Sequence, residues 1–156
     1  MNQGSRGQFK VGQLVADSIL TGLQLLKTTV VQLSSAQILA LNATPVALVA
    51  APGTGKIISV EEILFKMVRT ATAYANGGAL EFRYRNASGA KVIADIAASV
   101  VTTGGAGTEY NIVRGVVTSL TPVANAAIVI DNATAPFITG TGTAVVSVKY
   151  RIVTLS

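Results

Sequence analysis

The stretch Ala51–Lys56 (APGTGK) is the part of the sequence that comes nearest to a chemical motif, because it matches part of a nucleotide-binding phosphate loop. Such a loop has the pattern G-x-x-x-x-G-K-[ST], in which glycine backbone binds phosphates, lysine adds charge and a hydroxyl binds magnesium. Counting back from Gly55, the first glycine position holds Ala50, and the hydroxyl position holds Ile57. Two defining positions are therefore missing, which favours a glycine turn between two strands that ends in a solvated lysine.

The residues that most enzymes use for catalysis are scarce. The sequence has no cysteine, no histidine and only seven carboxylates, which excludes disulfides, thiolate nucleophiles, zinc sites built on cysteine or histidine, and histidine-dependent triads. The adjacent carboxylates Glu61 and Glu62 would point to opposite faces of a strand unless a bulge brought them together. A metal or acid–base site built on carboxylates alone stays open as an alternative, although seven carboxylates provide little material for it. We assign no catalytic residue, no cofactor and no metal ligand, and we expect a protein that is not an enzyme.

The elements that hold these residues are predicted to be mainly strands. Valine, isoleucine and threonine supply 49 of the 156 residues, and β-branched side chains pack well on pleated sheets. Ser34 is placed to cap one short helix that ends near Asn42. Eight short strands separated by turns predict an all-β sandwich or barrel. The predicted strands are Lys27–Leu33, Pro45–Ala50, Lys56–Arg69, Ala79–Arg85, Lys91–Ile96, Glu109–Val117, Ala126–Ile130 and Thr143–Val153.

The segment Lys56–Arg69 is compatible with two kinds of element. Helical spacing would place five apolar residues on one face: Ile57, Val60, Ile63, Leu64 and Met67. A strand would alternate correctly only if Glu61-Glu62 formed a bulge that resets the face. The flanking turns and the β-branched composition favour the strand.

Cations alternate with apolar residues on two of the predicted strands. Arg83 and Arg85 share the outward face of one strand, and Lys149 and Arg151 share the outward face of the last strand. These four residues are our candidate interface residues, either as a solvated sheet face or as a docking face for an acidic partner. The net charge of +5 is not concentrated in a basic stripe, so we expect no nucleic-acid binding.

Residues 1–26 differ from the rest of the chain, since they begin polar and glycine-rich and become apolar without clear alternation. We interpret them as an extended N-terminal arm, followed by a sandwich domain over residues 27–156. Phe9 and Leu14 are candidate anchors of this arm on a neighbouring subunit. The sequence shows no signal peptide and no apolar run long enough to span a membrane, so we expect no membrane partner.

Four segments together resemble a group of small tailed-phage and prophage structural proteins, the capsid cement or decoration proteins. They are Ser34–Val46 (SSAQILALNATPV), Ala51–Lys56 (APGTGK), Ala73–Tyr84 (AYANGGALEFRY) and Phe137–Tyr150 (FITGTGTAVVSVKY). The similarity is one of pattern and order, and it runs from about residue 27 to 153. It implies a jelly-roll-like β-sandwich of about eight strands. It also implies a homo-oligomer on the outer surface of a capsid that bridges major capsid subunits.

The expected function is accordingly that of a capsid cement subunit, made in the host cytoplasm and located on the virion. Its expected partners are the major capsid protein and itself, as a homo-dimer or homo-trimer. A tail or fibre component that binds a host glycan is the alternative, with Tyr74, Tyr84 and Tyr110 available to stack on sugars. A nucleotide hydrolase that uses Lys56 is a third possibility.

Overall fold

A computed structural model describes residues 25–115 and 121–155 as a β protein with two short helices. Six of its strands are short, with two to seven residues, and three are longer, with eight to fourteen. The strands are β1 (Lys27–Leu33), β2 (Val46–Val49), β3 (Lys56–Arg69), β4 (Ala75–Asn76), β5 (Glu81–Tyr84), β6 (Gly107–Arg114), β7 (Ile128–Asp131), β8 (Phe137–Ile138) and β9 (Thr143–Thr154). The helices are α1 (Ser35–Ala40) and α2 (Ser99–Thr102).

The strands form two main antiparallel sheets and one small one. The first sheet has the order β1-β9-β3-β6, the second has the order β2-β7-β5, and β4 pairs with β8. Consecutive strands of the described chain always lie in different sheets, and the first strand pairs with the last. The segment predicted as a strand at Lys91–Ile96 joins the second sheet only through two isolated bridges. This is a jelly-roll sandwich, so the prediction of an all-β, jelly-roll-like fold is confirmed.

The strand β3 carries the bulge that its sequence required. Val60 lies opposite Tyr150 and Glu62 lies opposite Lys149, so Glu61 is an extra residue in the ladder with β9. Ile58 and Val60 before the bulge are buried, as are three apolar side chains after it: Ile63, Phe65 and Met67. The bulge therefore keeps both halves of a fourteen-residue strand facing the same core.

The helix α1 begins at the Ser34 cap that the sequence predicts. The Ser34 hydroxyl accepts a hydrogen bond from the Gln37 backbone N–H, and the Gln37 side chain accepts one from the Ser34 backbone N–H. The second helix, α2, corrects the expectation of a single helix. No side chain caps its start, and its β-branched residues carry no helical signal. The turn forms because it buries Val100 and Val101.

The two main sheets are joined where β3 extends beyond its neighbour β6, which pairs with β3 only from Glu62 onward. The backbone carbonyls on that side of β3 need other donors, because buried polar groups are costly when unpaired. The Tyr84 hydroxyl donates to the Ile58 carbonyl over 2.5 Å, and the Asn125 backbone N–H donates to the Lys56 carbonyl over 2.8 Å. Residues of the second sheet and its loops thus complete the edge of the first sheet.

The predicted arm falls almost wholly outside the described residues, which begin at Leu25. Phe9 and Leu14 therefore stay sequence predictions. In the described part of the chain, no helix is long and apolar enough to cross a membrane.

Candidate functional site

The outward surface of the β1-β9-β3-β6 sheet, which we call the outer face, carries three of the seven large hydrophobic side chains that are exposed among the described residues. Strand pairing places Val30, Ser147, Leu64 and Ile112 side by side in one row across the four strands. Val30 and Ile112 are 60% and 52% exposed. The row is thus apolar at three of its four positions and open to solvent on a surface that pairs with no other element of the described fold.

The next row along the strands adds an aromatic ring and a cation. It consists of Gln32, Val145, Lys66 and Tyr110. Tyr110 is 60% exposed, and the Lys66 Nζ atom lies 5.7 Å from the centre of its ring, within the range of a cation–π contact. The Lys66 ammonium group therefore lies close to the apolar row.

On the opposite side, the apolar row is bordered by a row of ion pairs. Glu62 lies between Lys149 and Arg114, pairing with the Lys149 Nζ atom at 2.8 Å and with the Arg114 guanidinium. Hydrogen bonds from Lys149 and Arg114 stabilise the ionised carboxylate and lower the pKa of Glu62 below its usual 4.5. The bulge places Glu61 on this side too, where its carboxylate lies 3.4 Å from the Arg151 Nε atom.

The placement of Lys149 and Arg151 on the outward face of the last strand is confirmed by the alternation along β9, in which Ala144, Val146 and Val148 are buried. Both cations are ion-paired within the chain rather than surrounded only by solvent. The sequence analysis expected Glu61 and Glu62 to point to opposite faces unless a bulge brought them together. The structure has this bulge, and both carboxylates lie on the outer face.

Arg83 and Arg85 do not form an outward cationic face, and this prediction is wrong. The Arg83 side chain is only 16% exposed; it pairs with Glu81, and its Nε atom lies 3.6 Å from an oxygen of Asp131. β5 ends at Tyr84, and Arg85 follows it with a φ of 70°. The reason lies in the chain after β5, which turns back and runs antiparallel beside β5, so that Lys91 lies opposite Arg83 and pairs with Glu81.

Charged side chains of the two neighbouring segments form a cluster of five groups: Glu81, Arg83, Lys91, Asp95 and Asp131. Asp131 is fully buried, and neither of its carboxylate oxygens has a hydrogen-bond partner among the described residues. Burial raises the pKa of Asp131, and the nearby Arg83 only partly opposes this. Burial therefore disfavours the ionised form of the Asp131 carboxyl group within this cluster.

The cluster does not make a metal site, since no group of three or more carboxylates in the described ranges is arranged to hold an ion. All six carboxylates of those ranges are within ion-pair distance of a lysine or arginine. They are Glu61, Glu62, Glu81, Asp95, Glu109 and Asp131. Each of these carboxylates therefore has a cationic neighbour within the described fold.

The partial phosphate-loop motif is a turn. Gly53 and Gly55 adopt left-handed backbone conformations, and the Gly53 N–H donates to the Asn125 side chain. Lys56 begins the strand β3, whereas a phosphate loop leads into a helix whose N–H groups face the phosphates. The prediction of a turn between two strands is therefore confirmed.

Sequence reasoning missed the apolar row of Val30, Leu64 and Ile112. The sequence of β1 does not show which of its faces is exposed, because both faces carry β-branched residues. Thr28 and Val30 lie on one face, and Thr29 and Val31 lie on the other. A strand that is apolar on both sides indicates two packed faces. In the described structure only one of these faces is packed against the core.

Comparison of the sequence with models of protein families finds no match, and comparison with curated proteins finds none either.

Proposed function

We propose that this protein is a structural subunit of a tailed-phage virion, a capsid cement protein that binds the outer capsid surface and bridges major capsid subunits. The observation that carries the proposal is the outer face, an exposed apolar row bordered by ion pairs on a four-stranded sheet. The resemblance of four sequence segments to cement proteins and the jelly-roll sandwich agree with it. The proposal includes location on the virion and assembly as a homo-dimer or homo-trimer.

The mechanism is mechanical rather than chemical. A subunit that binds only the assembled shell adds its binding free energy to the shell and none to dispersed capsid proteins, so the shell is stabilised by linkage. A homo-oligomer repeats each contact, and its linked contacts hold more tightly than one contact alone. The small number of carboxylates and the absence of cysteine and histidine from the sequence agree with this role. We therefore propose that the protein is not an enzyme.

The glycan-binding alternative receives less support from the structure. Of the three tyrosines available for stacking on sugars, Tyr74 and Tyr84 are buried in the core, and Tyr110 is exposed. The Tyr74 hydroxyl donates to the Gly142 carbonyl and that of Tyr84 donates to the Ile58 carbonyl. A single exposed ring is a poor platform for a sugar, since stacking sites combine large aromatic area with several polar groups.

The test is quantitative mass spectrometry of purified particles of the phage or prophage that encodes the chain, with the major capsid protein as internal standard. We expect a copy number close to that of the capsomers, together with a lower disruption temperature for particles that lack the gene. A copy number typical of a tail, or particles without the protein, would contradict the proposal. Micromolar binding to a glycan array would favour the alternative.

A further inference from the structure

We infer that the outer face is the capsid-binding surface, and that its partner is a capsid segment with apolar residues flanked by carboxylates, not a second copy of this chain. The inference rests on the proposed function and specifies its partner. The apolar row of Val30, Leu64 and Ile112 has the arrangement of a protein interface, in which an apolar centre is surrounded by a polar rim.

The charge of the outer face indicates the chemistry of the partner. Four cations lie on it, Lys66, Arg114, Lys149 and Arg151, against the two carboxylates of Glu61 and Glu62. Both carboxylates are already ion-paired with these cations, so the described part of the face has an excess of two positive charges. Surfaces that bind each other have complementary potentials. A partner therefore needs carboxylates at its rim.

The same charge argument disfavours a second copy of this chain and the N-terminal residues 1–24 as the partner of the outer face. A second copy in face-to-face contact would bring together two surfaces with the same excess of positive charge, which is unfavourable when the charges are desolvated. Residues 1–24 contain Arg6 and Lys10 against the single carboxylate of Asp17, so they are positive as well. An acidic surface of another protein is the complementary partner.

The size of the outer face explains why one contact is not enough. Four strands about 4.8 Å apart, over about nine residues of 3.3 Å each, cover on the order of 500 Å². Stable protein interfaces bury roughly 800 Å² on each partner. A single face is therefore expected to dock weakly, and stable attachment requires several faces of an oligomer to bind the shell together.

The experiment measures binding of this protein to shells purified from a phage strain that lacks its gene, by co-sedimentation over a range of protein concentrations. The key variants are Ile112→Asp and Ile112→Lys, which lose the same apolar contact at an exposed site but differ in the sign of the new charge. Ile138→Asp is the matched control, because Ile138 is equally exposed, at 50%, but belongs to β8 in another sheet. Circular dichroism and thermal unfolding confirm that each variant is folded.

We expect Ile112→Asp to weaken shell binding at least about tenfold, Ile112→Lys to weaken it clearly less, and Ile138→Asp to leave it unchanged. Raising the salt concentration should weaken binding of the unmodified protein, because exposed charges are screened. Equal losses for the two Ile112 variants would overturn the acidic partner. Unchanged binding of Ile112→Asp would overturn the face while the cement function stands, and no binding of the unmodified protein would overturn both.

Sedimentation velocity of the same variants tests the second copy as the occupant. We expect the oligomeric state of Ile112→Asp to equal that of the unmodified protein. Dissociation of the oligomer by Ile112→Asp would show that a second copy covers the outer face, and it would overturn the inference.

Discussion

We expect the hydrogen bond from the Tyr84 hydroxyl to the Ile58 carbonyl to stabilise the contact between the two sheets. The hydroxyl of Tyr84 is fully buried and donates to the Ile58 carbonyl at the part of β3 that β6 does not reach. Tyr84→Phe keeps the ring and its packing but removes the donor. The Ile58 carbonyl is then left buried without this partner, because the second sheet blocks access from that side.

An unpaired buried carbonyl costs about 1–3 kcal/mol. For a chain of this size, each kcal/mol lowers the melting temperature by roughly 2–4 °C. We therefore expect Tyr84→Phe to lower the free energy of unfolding by about 2 kcal/mol and the melting temperature by several degrees. Urea unfolding followed by circular dichroism measures the first quantity, and both proteins are compared at the same concentration because assembly adds to apparent stability.

Tyr110→Phe is the matched control, since it removes the same atom from a ring that is 60% exposed. Its effect should stay within about 0.5 kcal/mol. If Tyr84→Phe were as stable as the unmodified protein within that margin, the reasoning would be refuted, because the Ile58 carbonyl would then find another donor. The link between the sheets would in that case consist of apolar packing alone.

Three further variants test the charges and one turn. The pKa of Glu62 is lowered by Lys149 and Arg114, so the ionised carboxylate stabilises the fold above pH 4.5. The melting temperature of the unmodified protein should therefore exceed that of Glu62→Gln near neutral pH. This difference should disappear as the pH falls below 4.5. The pKa of Asp131 is raised, so ionisation of this carboxyl group destabilises the fold. Asp131→Asn should therefore melt at a higher temperature than the unmodified protein, and this difference should appear as the pH rises above 3.8 and vanish in acid. Gly77→Ala should lose roughly 2 kcal/mol or more in urea unfolding, since Gly77 has a φ of 84° and a Cβ there would overlap the Phe137 ring. Gly104→Ala, with open space around it, should be close to neutral.

The fold could be predicted from local patterns wherever these patterns had a period of two. The alternation in Thr143–Val153 correctly assigned inward and outward residues on β9, and the need for a bulge at Glu61 followed from the same rule. The helix α2 could not be predicted, because its start has no capping side chain and its stability comes from burying Val100 and Val101. Such a turn is stabilised by contacts with distant parts of the chain.

The candidate site was predicted in part, for a related reason. Lys149 and Arg151 were assigned to the outer face because strand alternation determines the side to which they point. The surroundings of Arg83 were not predictable, since they depend on the pairing of the Lys91 segment beside β5 and on the burial of Asp131 in β7. Local polarity tells which way a side chain points, but it does not tell which charged side chains another segment places beside it.

The bulge at Glu61 connects the core with the outer face. In a strand, a shift of one residue moves every later side chain to the opposite face. Without the extra residue, Ile58 and Val60 could not be buried together with Phe65 and Met67, so core packing requires the bulge. The same bulge places a second carboxylate beside Arg151, at the end of the face where cations are most numerous. Those cations are thereby paired within the chain, and the neighbouring row of Val30, Leu64 and Ile112 is left as the part of the outer face that a partner can cover without first breaking ion pairs.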